Sequence, residues 1–441
     1  MGVRQPLQPS KFRDWQGPSV EVQPRRGGWR TFLQVLGPAY LVAIGYMDPG
    51  NWATDLAAGS TLGYRLLWVV ALSSLMATLL QSLCCRLGIA TGMDLAQACA
   101  RLLPGRWRLP LWLMAELAII ACDLAELVGS AIALQLLFGL PLAWGVALTV
   151  ADTLLLLLLQ QWGVRGLELV AISLIALVGG CFAVELLLLK PDWGAVIQGF
   201  WPRSINPSQG NELFLAAGIL GATVMPHNLY LHSSLVQSRR WPIDPMARHW
   251  ALRYSTWDAV LALSLAFLIN CSILILAAGS FHSQQLQPVA DLHEAYRLLT
   301  PTLGTALAST LFAVALLAAG QSSSLTATLA GQIVMDGFLQ IRLPDWQRRL
   351  LTRCLALVPA LVPALGTVLL LGESAINQLL ILSQVVLSLQ LPFAVIPLIL
   401  FCSRPGLMGN LLAPPWLVIL SWGFTSLIVA INASLLLSLV F

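Results

Sequence analysis

The sequence has few charged residues. Asp, Glu, Lys and Arg make up 10% of the 441 residues, whereas hydrophobic residues make up 58%. Soluble domains carry roughly 25% charged residues, so this composition excludes an ordinary soluble protein. It predicts an all-α polytopic membrane protein whose surroundings are the lipid bilayer, and it does not indicate a nucleic-acid partner.

Several chemical motifs are also missing. The eight cysteines form no C-x-x-C pair, and the five histidines do not cluster near them. Neither a disulfide framework nor a zinc site is therefore indicated, and we interpret the cysteines as small buried residues. H-E-x-x-H and G-x-S-x-G are absent as well, which argues against a membrane-embedded metalloenzyme and against a bound cofactor.

Long apolar segments fill most of the chain. Residues 1–30 form a polar, Arg-rich stretch that we predict to be a flexible tail, and the first span follows from about Leu33 to Ala58. A window of about 19 residues predicts further spans, for a total of about eleven. They lie at 64–88, 109–138, 141–160, 165–189, 212–237, 254–279, 303–328, 350–371, 376–401 and 414–440.

The basic residues are distributed unevenly between the two faces of this predicted topology. All Lys and Arg residues except Arg65, Lys190, Arg203 and Arg297 lie in the N-terminal tail or on its side of the membrane. Since cytoplasmic loops are enriched in Lys and Arg, the N-terminus is predicted to be cytoplasmic and the C-terminus external.

The first span is interrupted in its middle. Asp48 is followed by Pro49 and Gly50 within an apolar segment. An ionised side chain or a free backbone amide costs several kcal/mol in hydrocarbon, so such a break persists only where protein or a watery cavity surrounds it. The pattern predicts a discontinuous helix that presents a polar ligand site.

The sixth span contains a second break, at Met225-Pro226-His227-Asn228. Spans one and six are five apart and run in opposite directions. Two discontinuous helices at corresponding places in two inverted halves are typical of secondary transporters with a midplane substrate site. We predict a first repeat at 31–190 and a second at 212–403 within a core at 31–410, followed by an additional C-terminal helix at 411–441.

The residues at the two breaks suggest a cation site. Asp48 and Asn51 offer oxygen ligands, the stretches around Gly45 and Ala222 offer backbone carbonyls, and Met225 offers a thioether. Hard and soft ligands together favour first-row transition ions and Cd²⁺, whereas oxygen alone would favour Mg²⁺ or Ca²⁺. The alternative is that Met225 only packs in a helix core.

The third span carries three carboxylates, Glu116, Asp123 and Glu126, at spacings that bring them near one helix face. Inside a membrane such groups are protonated or meet cations, which is what a proton relay needs. Static ion pairing with Arg353 or another basic residue is the alternative. His227 follows the second break and can titrate in a useful range, so it has a role in proton handling or in helix packing.

Five motifs give the chain a family resemblance between about residues 35 and 410. The sequence resembles the Nramp family of divalent-metal transporters at D-P-G-N (48–51), at M-P-H-N with the following L-Y-L-H-S-S-L-V-Q-S-R (225–239), at D-L-A-E-L-V-G-S-A-I-A-L (123–134), at R-R-L-L-T-R (348–353) and at L-S-Q-V-V-L-S-L-Q-L-P-F-A (382–394).

This resemblance implies a LeuT-type fold and proton-coupled import of Mn²⁺ or Fe²⁺, with Cd²⁺ and Co²⁺ as further substrates. It implies a metal site made of Asp48, Asn51, Met225, the Ala222 carbonyl and, in some states, Gln384. It also implies proton movement through a second set of residues, namely Asp48, Asp123, Glu126 and His227, with Arg353 as the partner. Trp52, directly after D-P-G-N, departs from the family pattern and bears on fine selectivity.

Other functions remain open from the residues. A family member adapted to another divalent ion would keep the same breaks, and a metal channel would use similar ligands without alternating access. We expect a bacterial inner-membrane protein that acts as a monomer and binds metal ions and protons as its transported partners.

Overall fold

The computed structural model describes residues 19–22, 28–149, 163–204, 210–242, 244–283, 289, 291–339, 345–367 and 374–440. The described chain is almost entirely helical. In chain order its helices are α1 (Trp29–Val35), α2 (Pro38–Ala43), α3 (Pro49–Leu62), α4 (Leu67–Thr91), α5 (Leu95–Leu102), α6 (Arg108–Phe138), α7 (142–149), α8 (Gly163–Leu189), α9 (Trp193–Gly199), α10 (Gly210–Thr223), α11 (Pro226–Leu235), α12 (Pro245–Ala277), α13 (Leu292–Leu303), α14 (Ala306–Leu339), α15 (Asp345–Gly366), α16 (Ser374–Cys402), α17 (Pro405–Met408) and α18 (Pro415–Val440).

Eight helical segments of the described residues are long and apolar enough to cross a membrane, and Pro38–Met47 is a shorter apolar segment. They coincide with most of the predicted spans. The predicted fourth span, 141–160, is described only as far as residue 149, and the ninth, 350–371, only as far as residue 367. The remainder of these two spans lies outside the described residues.

The first predicted span has two interruptions rather than one. Besides the break at Asp48, the chain bends at Leu36 and Gly37, between α1 and α2. Gly37 has a backbone φ of 140°, a conformation that residues with a side chain rarely adopt. Carboxylate oxygens of Asp258, on α12, accept the backbone N–H groups of Gly37 (3.1 Å) and Ala39 (3.0 Å). The sequence analysis did not predict this bend, although the Gly37-Pro38 dipeptide is a local turn signal; the carboxylate that stabilises it lies about 220 residues away.

A buried ion pair also contacts the backbone at this bend. Arg239 donates to both carboxylate oxygens of Glu168 at 2.7 and 2.9 Å, and to the carbonyls of Val35 (3.2 Å) and Leu36 (3.1 Å). Arg165 donates to Leu36 and Glu168 as well. A buried pair is favourable only when further hydrogen bonds satisfy its remaining groups, and here the free carbonyls at the end of α1 supply them.

Part of the N-terminal tail is docked, which corrects the prediction of a flexible tail over residues 1–30. Val20–Glu21 (β1) pairs in parallel with Arg239–Arg240 (β2), and Val22 N–H donates to the Arg240 carbonyl at 2.9 Å. Two residues are too few to produce a strand pattern in the sequence, so only the folded chain shows this pairing.

The centre of the molecule is built around α6, which packs against α14, α15 and α16. Its carboxylates therefore point into protein rather than lipid, with Asp123 and Glu126 fully buried. Gly129 of the same helix lies against Pro49, where any side chain would overlap the proline ring. The close approach at this glycine brings the carboxylate-bearing helix next to the first break.

Candidate functional site at two facing helix breaks

Asp48 forms the hinge of the first break. A 3-10 turn, Ile44–Met47, leads into Asp48, whose extended backbone (ψ 163°) ends one helical segment and caps the next, α3. Its Oδ1 accepts the backbone N–H of Asn51 at 2.7 Å, which satisfies one of the free amides at a helix start. Pro49 occupies the first helical position, where a missing N–H costs little.

Two backbone carbonyls of this break accept hydrogen bonds from side chains. The Tyr46 carbonyl accepts the side-chain amides of Asn51 (2.6 Å) and Asn270 (2.9 Å), and the Met47 carbonyl accepts the indole N–H of Trp52 (3.1 Å). Because the Asn51 nitrogen is used in this way, its oxygen is the atom left to coordinate a cation. Trp52 thus stabilises the break from a fully buried position.

The second break lies between α10 and α11, at Val224 and Met225. Each α-helical carbonyl accepts from the N–H four residues later, and the residue four after Ala222 is Pro226, which has no N–H. The Ala222 carbonyl therefore has no α-helical partner, as the sequence predicts for a ligand. Met225 is fully buried and extended (ψ 120°), and its sulfur accepts a 3.6 Å hydrogen bond from Asn228 Nδ2.

The two breaks face each other. A Cβ on Gly45 would lie 2.7 Å from Asn228 Nδ2, so the second break packs on the first through this glycine. Helix α16 closes on both, because Gln384 occupies the space that a side chain on Gly50 would need, and its backbone lies against Gly221 in the same way. Gln384 Nε2 is 3.4 Å from Asp48 Oδ2.

The structure thus brings Asp48, Asn51 and Gln384 into one group, with Met225 and Ala222 on the facing break. Their metal-ligand roles stay predictions. Among the described residues, no group of three or more His, Cys, Asp or Glu side chains forms a metal site. A cation here would therefore use a mixed set of one carboxylate, amide and carbonyl oxygens and a thioether.

Three buried side-chain oxygens at this place lack hydrogen-bond partners in the part of the chain that the structure describes, Gln384 Oε1, Asn228 Oδ1 and Asn270 Oδ1. A buried polar atom without a partner costs about 1–3 kcal/mol, and a cation would relieve that cost. The sequence analysis did not propose Asn228 as a ligand, although it is the last residue of M-P-H-N.

A polar chain connects the second break with α6. His227 Nε2 is 3.7 Å from the Cys122 sulfur, which donates to Glu126 Oε1 at 3.3 Å. The same oxygen accepts the Ser323 hydroxyl at 2.8 Å. Cys122 is buried, as predicted, but it also bridges two of the predicted proton-handling residues. Its position four residues before Glu126, one helical turn away, was the available signal.

The structure shows fewer contacts for the other residues that are predicted to handle protons. Asp123 is fully buried and Glu116 is largely so. Within the described residues, neither oxygen of Glu116 has a hydrogen-bond partner. Arg353 belongs to α15, but its side chain lies outside what the structure describes, so its pairing with these acids stays a prediction.

A second polar chain, which the sequence analysis did not predict, reaches the first break. Gln81 donates to the Tyr46 hydroxyl at 2.7 Å, and Gln81 Oε1 lies 2.9 Å from His232 Nδ1. His232 is therefore a buried histidine with a hydrogen-bond partner. The chain ties α4 and α11 to the residue whose carbonyl holds Asn51.

Gly50→Ala tests the packing of Gln384 on the first break. The new methyl group requires the space of the Gln384 side chain, so this amide should move away from Asp48. We expect divalent-metal affinity to fall by about tenfold, within the ~10–100-fold typical of a lost supporting group, measured by calorimetry with Mn²⁺. Gly406→Ala, at a position with open space, should leave it unchanged. Unchanged affinity in Gly50→Ala would contradict this arrangement.

Comparisons with known proteins cover most of the chain. The family described as natural resistance-associated macrophage protein-like, Nramp, matches residues 39–438. A relative from Nostoc sp., named divalent metal cation transporter MntH, is 55% identical over 419 residues, which are 95% of this chain and 94% of the relative.

Solved structures of other membrane transporters are also similar to this chain. The Eremococcus coleocola manganese transporter matches with a TM-score of 0.85 at 38% identity, covering 96% of this chain and 89% of that one. Mhp1 in a closed conformation matches with a TM-score of 0.60 at 17% identity, covering 91% of both chains, which concerns the fold alone. The predicted all-α, LeuT-type membrane fold is confirmed. From its match over most of its length, the chain belongs to the Nramp family.

Proposed function

We propose that this protein is a proton-coupled carrier that imports divalent transition-metal ions, Mn²⁺ and Fe²⁺ above all, by alternating access. The observation that carries the proposal is the meeting of Asp48, Asn51 and Gln384 at one proline break opposite Met225 at another. The names of the similar proteins, a divalent metal cation transporter and a manganese transporter, support it.

The proposed site selects by ligand type. Asp48 supplies the negative charge, Asn51, Gln384 and the Ala222 carbonyl supply neutral oxygens, and Met225 supplies sulfur. Mg²⁺ and Ca²⁺ prefer oxygen ligands, and Mg²⁺ also loses its water reluctantly, whereas Mn²⁺, Fe²⁺ and Cd²⁺ accept a softer ligand. The thioether therefore contributes most to discrimination.

Proton movement is proposed to follow the acids of α6. A cation at the site favours ionised Asp48, so metal binding releases or redirects a proton. The contacts from His227 through Cys122 to Glu126 supply polar atoms beside the site, and Asp123, Glu116 and Arg353 extend the route. Ser323 holds Glu126 in place.

The conformational step is proposed to be a movement of the two broken helices against the rest. The predicted repeats, 31–190 and 212–403, supply one broken helix each, and the additional helix at 411–441 stands outside them. The basic side of the chain, with the N-terminus, is assigned to the cytoplasm. Opening toward that side requires α1 and α2 to leave the Arg239–Glu168 pair and Asp258, which hold the bend at Gly37.

Asp48→Asn tests the central ligand. Asn caps a helix as well as Asp does, so the fold of the break should persist while the charge is lost. We expect Mn²⁺ uptake into proteoliposomes to fall by more than about 100-fold, beyond the loss that follows a change in an outer-shell group. Asp48→Ala should behave alike. Full Mn²⁺ uptake by either variant would sink the proposal.

Met225→Ala tests the role of sulfur. Without the thioether we expect Cd²⁺ affinity to fall by about tenfold, which is 1.4 kcal/mol, and Ca²⁺ or Mg²⁺ to begin to compete for uptake. Met76→Ala is the matched control, since Met76 is equally buried on α4 but lies outside the breaks. Unaltered ion preference in Met225→Ala would mean that this residue only packs.

Glu126→Gln separates metal from proton movement. The variant keeps the hydrogen bond from Ser323 but cannot exchange a proton at neutral pH. Proton entry, followed with a pH-sensitive dye inside liposomes, should drop at least about tenfold while Mn²⁺ binding remains. Glu294→Gln, at an exposed position on α13, should change neither. Equal loss of Mn²⁺ binding would assign Glu126 to the metal site instead.

Flux measurements in the same liposomes distinguish a carrier from a channel. A channel would pass Mn²⁺ without saturation and without proton movement, whereas the carrier saturates and its flux depends on the pH difference. Competition by several divalent ions at two pH values would also identify a family member adapted to another ion.

A further inference from the structure

A recess lies at the junction of α1 and the start of α12, away from the two breaks. It encloses about 390 Å³. Trp29 and Phe32 of α1 form one wall, and α12 forms the other with Arg253, Tyr254, Trp257 and Leu261.

Aromatic contacts hold the two walls of this recess in place. The rings of Phe32 and Tyr254 are 6.0 Å apart, which joins α1 to α12. Tyr254 also stacks on Trp250 at 5.6 Å and on Trp241 at 6.4 Å. Stacked aromatic pairs add to the free energy of simple burial, so the recess is preformed.

The described lining residues of the recess carry positive charge only. The Arg253 guanidinium lies 5.5 Å from the ring centre of Trp250, which orients it, and no carboxylate belongs to the lining residues that the structure describes. Arg30 follows Trp29 directly and is exposed. The recess is therefore complementary to an anion that carries apolar groups.

Its position relative to the bilayer follows from the length of α12. The helix has 33 residues, about 50 Å, against a hydrocarbon core of about 30 Å. Its first turns carry the charged residues Arg248 and Arg253 and mark the headgroup level. Below them, exposed Trp257, Leu261, Leu265 and Leu268 follow one face of the helix for about 16 Å, which is close to the depth of one leaflet.

We propose that this recess binds an anionic phospholipid. The phosphate lies against Arg253, the glycerol region contacts Trp29 and Trp257, and one acyl chain follows Leu261, Leu265 and Leu268. Aromatic residues at headgroup level and basic residues that attract anionic lipid are both general features of membrane surfaces. Here they meet in one preformed recess whose walls belong to two helices. The site shares no residue with the proposed metal and proton sites, although its α1 wall belongs to the segment that is proposed to move.

The test measures lipid bound to the purified full-length protein by native mass spectrometry. Phosphatidylglycerol and phosphatidylcholine with identical acyl chains are added in turn. We expect phosphatidylglycerol to bind more tightly, and Arg253→Gln to weaken it about fivefold, the effect of one basic residue near an anionic surface. Arg253→Lys keeps the charge and should retain most of the binding.

Two matched controls address the specificity of the site. Arg404 is also exposed and lies 5.8 Å from an aromatic ring, that of Phe401, but does not line the recess, so Arg404→Gln should bind phosphatidylglycerol normally. Trp257→Ala should weaken binding, whereas Trp416→Ala should not, although Trp257 and Trp416 are 53% and 57% exposed.

Four results would overturn the proposal. Equal binding of the two lipids removes the role of charge, and normal binding by Arg253→Gln removes the site. Equal loss in Arg253→Gln and Arg253→Lys points to damaged structure rather than lost charge. Normal binding by Trp257→Ala means that only the headgroup is held, as inorganic phosphate would be.

Discussion

The structure depends on how backbone polar groups are satisfied inside an apolar chain. Each of two helices contains a proline that removes an N–H and ends the hydrogen-bond ladder, and unsatisfied backbone groups at membrane depth cost several kcal/mol. At the first break, side chains bond two of its carbonyls: Asn51 and Trp52 come from the adjoining helix α3, and Asn270 comes from the distant helix α12. At the second break the Ala222 carbonyl is left without an α-helical partner. The difference between these breaks is what makes the region suitable for a cation.

Close packing converts these two local features into one site. Four glycines allow this packing. Gly45 lets the second break approach the first, and Gly50 does the same for α16. Gly129 lets α6 approach the first break, and Gly221 lets α16 approach the second. The side-chain amides of Asn228 and Gln384 occupy the space that a methyl group would need at Gly45 and Gly50, so both amides lie directly against the backbone of the first break. The contact between Gly129 and Pro49 brings the carboxylates of α6 near the proposed metal ligands, which would give the proposed exchange of metal and proton charge a short path.

At the bend at Gly37, charged side chains satisfy the free backbone groups. Free carbonyls at the end of α1 are held by Arg239 and Arg165, and the amides at the start of α2 by Asp258. The charged groups come from three separate segments, α8, β2 and α12. A movement of α1 and α2 therefore breaks several charge-assisted hydrogen bonds together, which favours two discrete positions of this segment over gradual bending.

The amino-acid sequence alone determined the membrane class, most of the spans, both proline breaks and the family, because composition, hydrophobic length and proline chemistry are local properties. It also determined the candidate set of Asp48, Asn51, Met225 and Glu126, since ionisable and soft side chains are costly or unusual where they stand. Only the tertiary structure decided that Asn228 packs on the first break, that Cys122 bridges His227 and Glu126, and that residues 20–22 are docked. Each of these depends on contacts between residues that are far apart in the chain, and no local pattern encodes which distant atoms satisfy a given polar group.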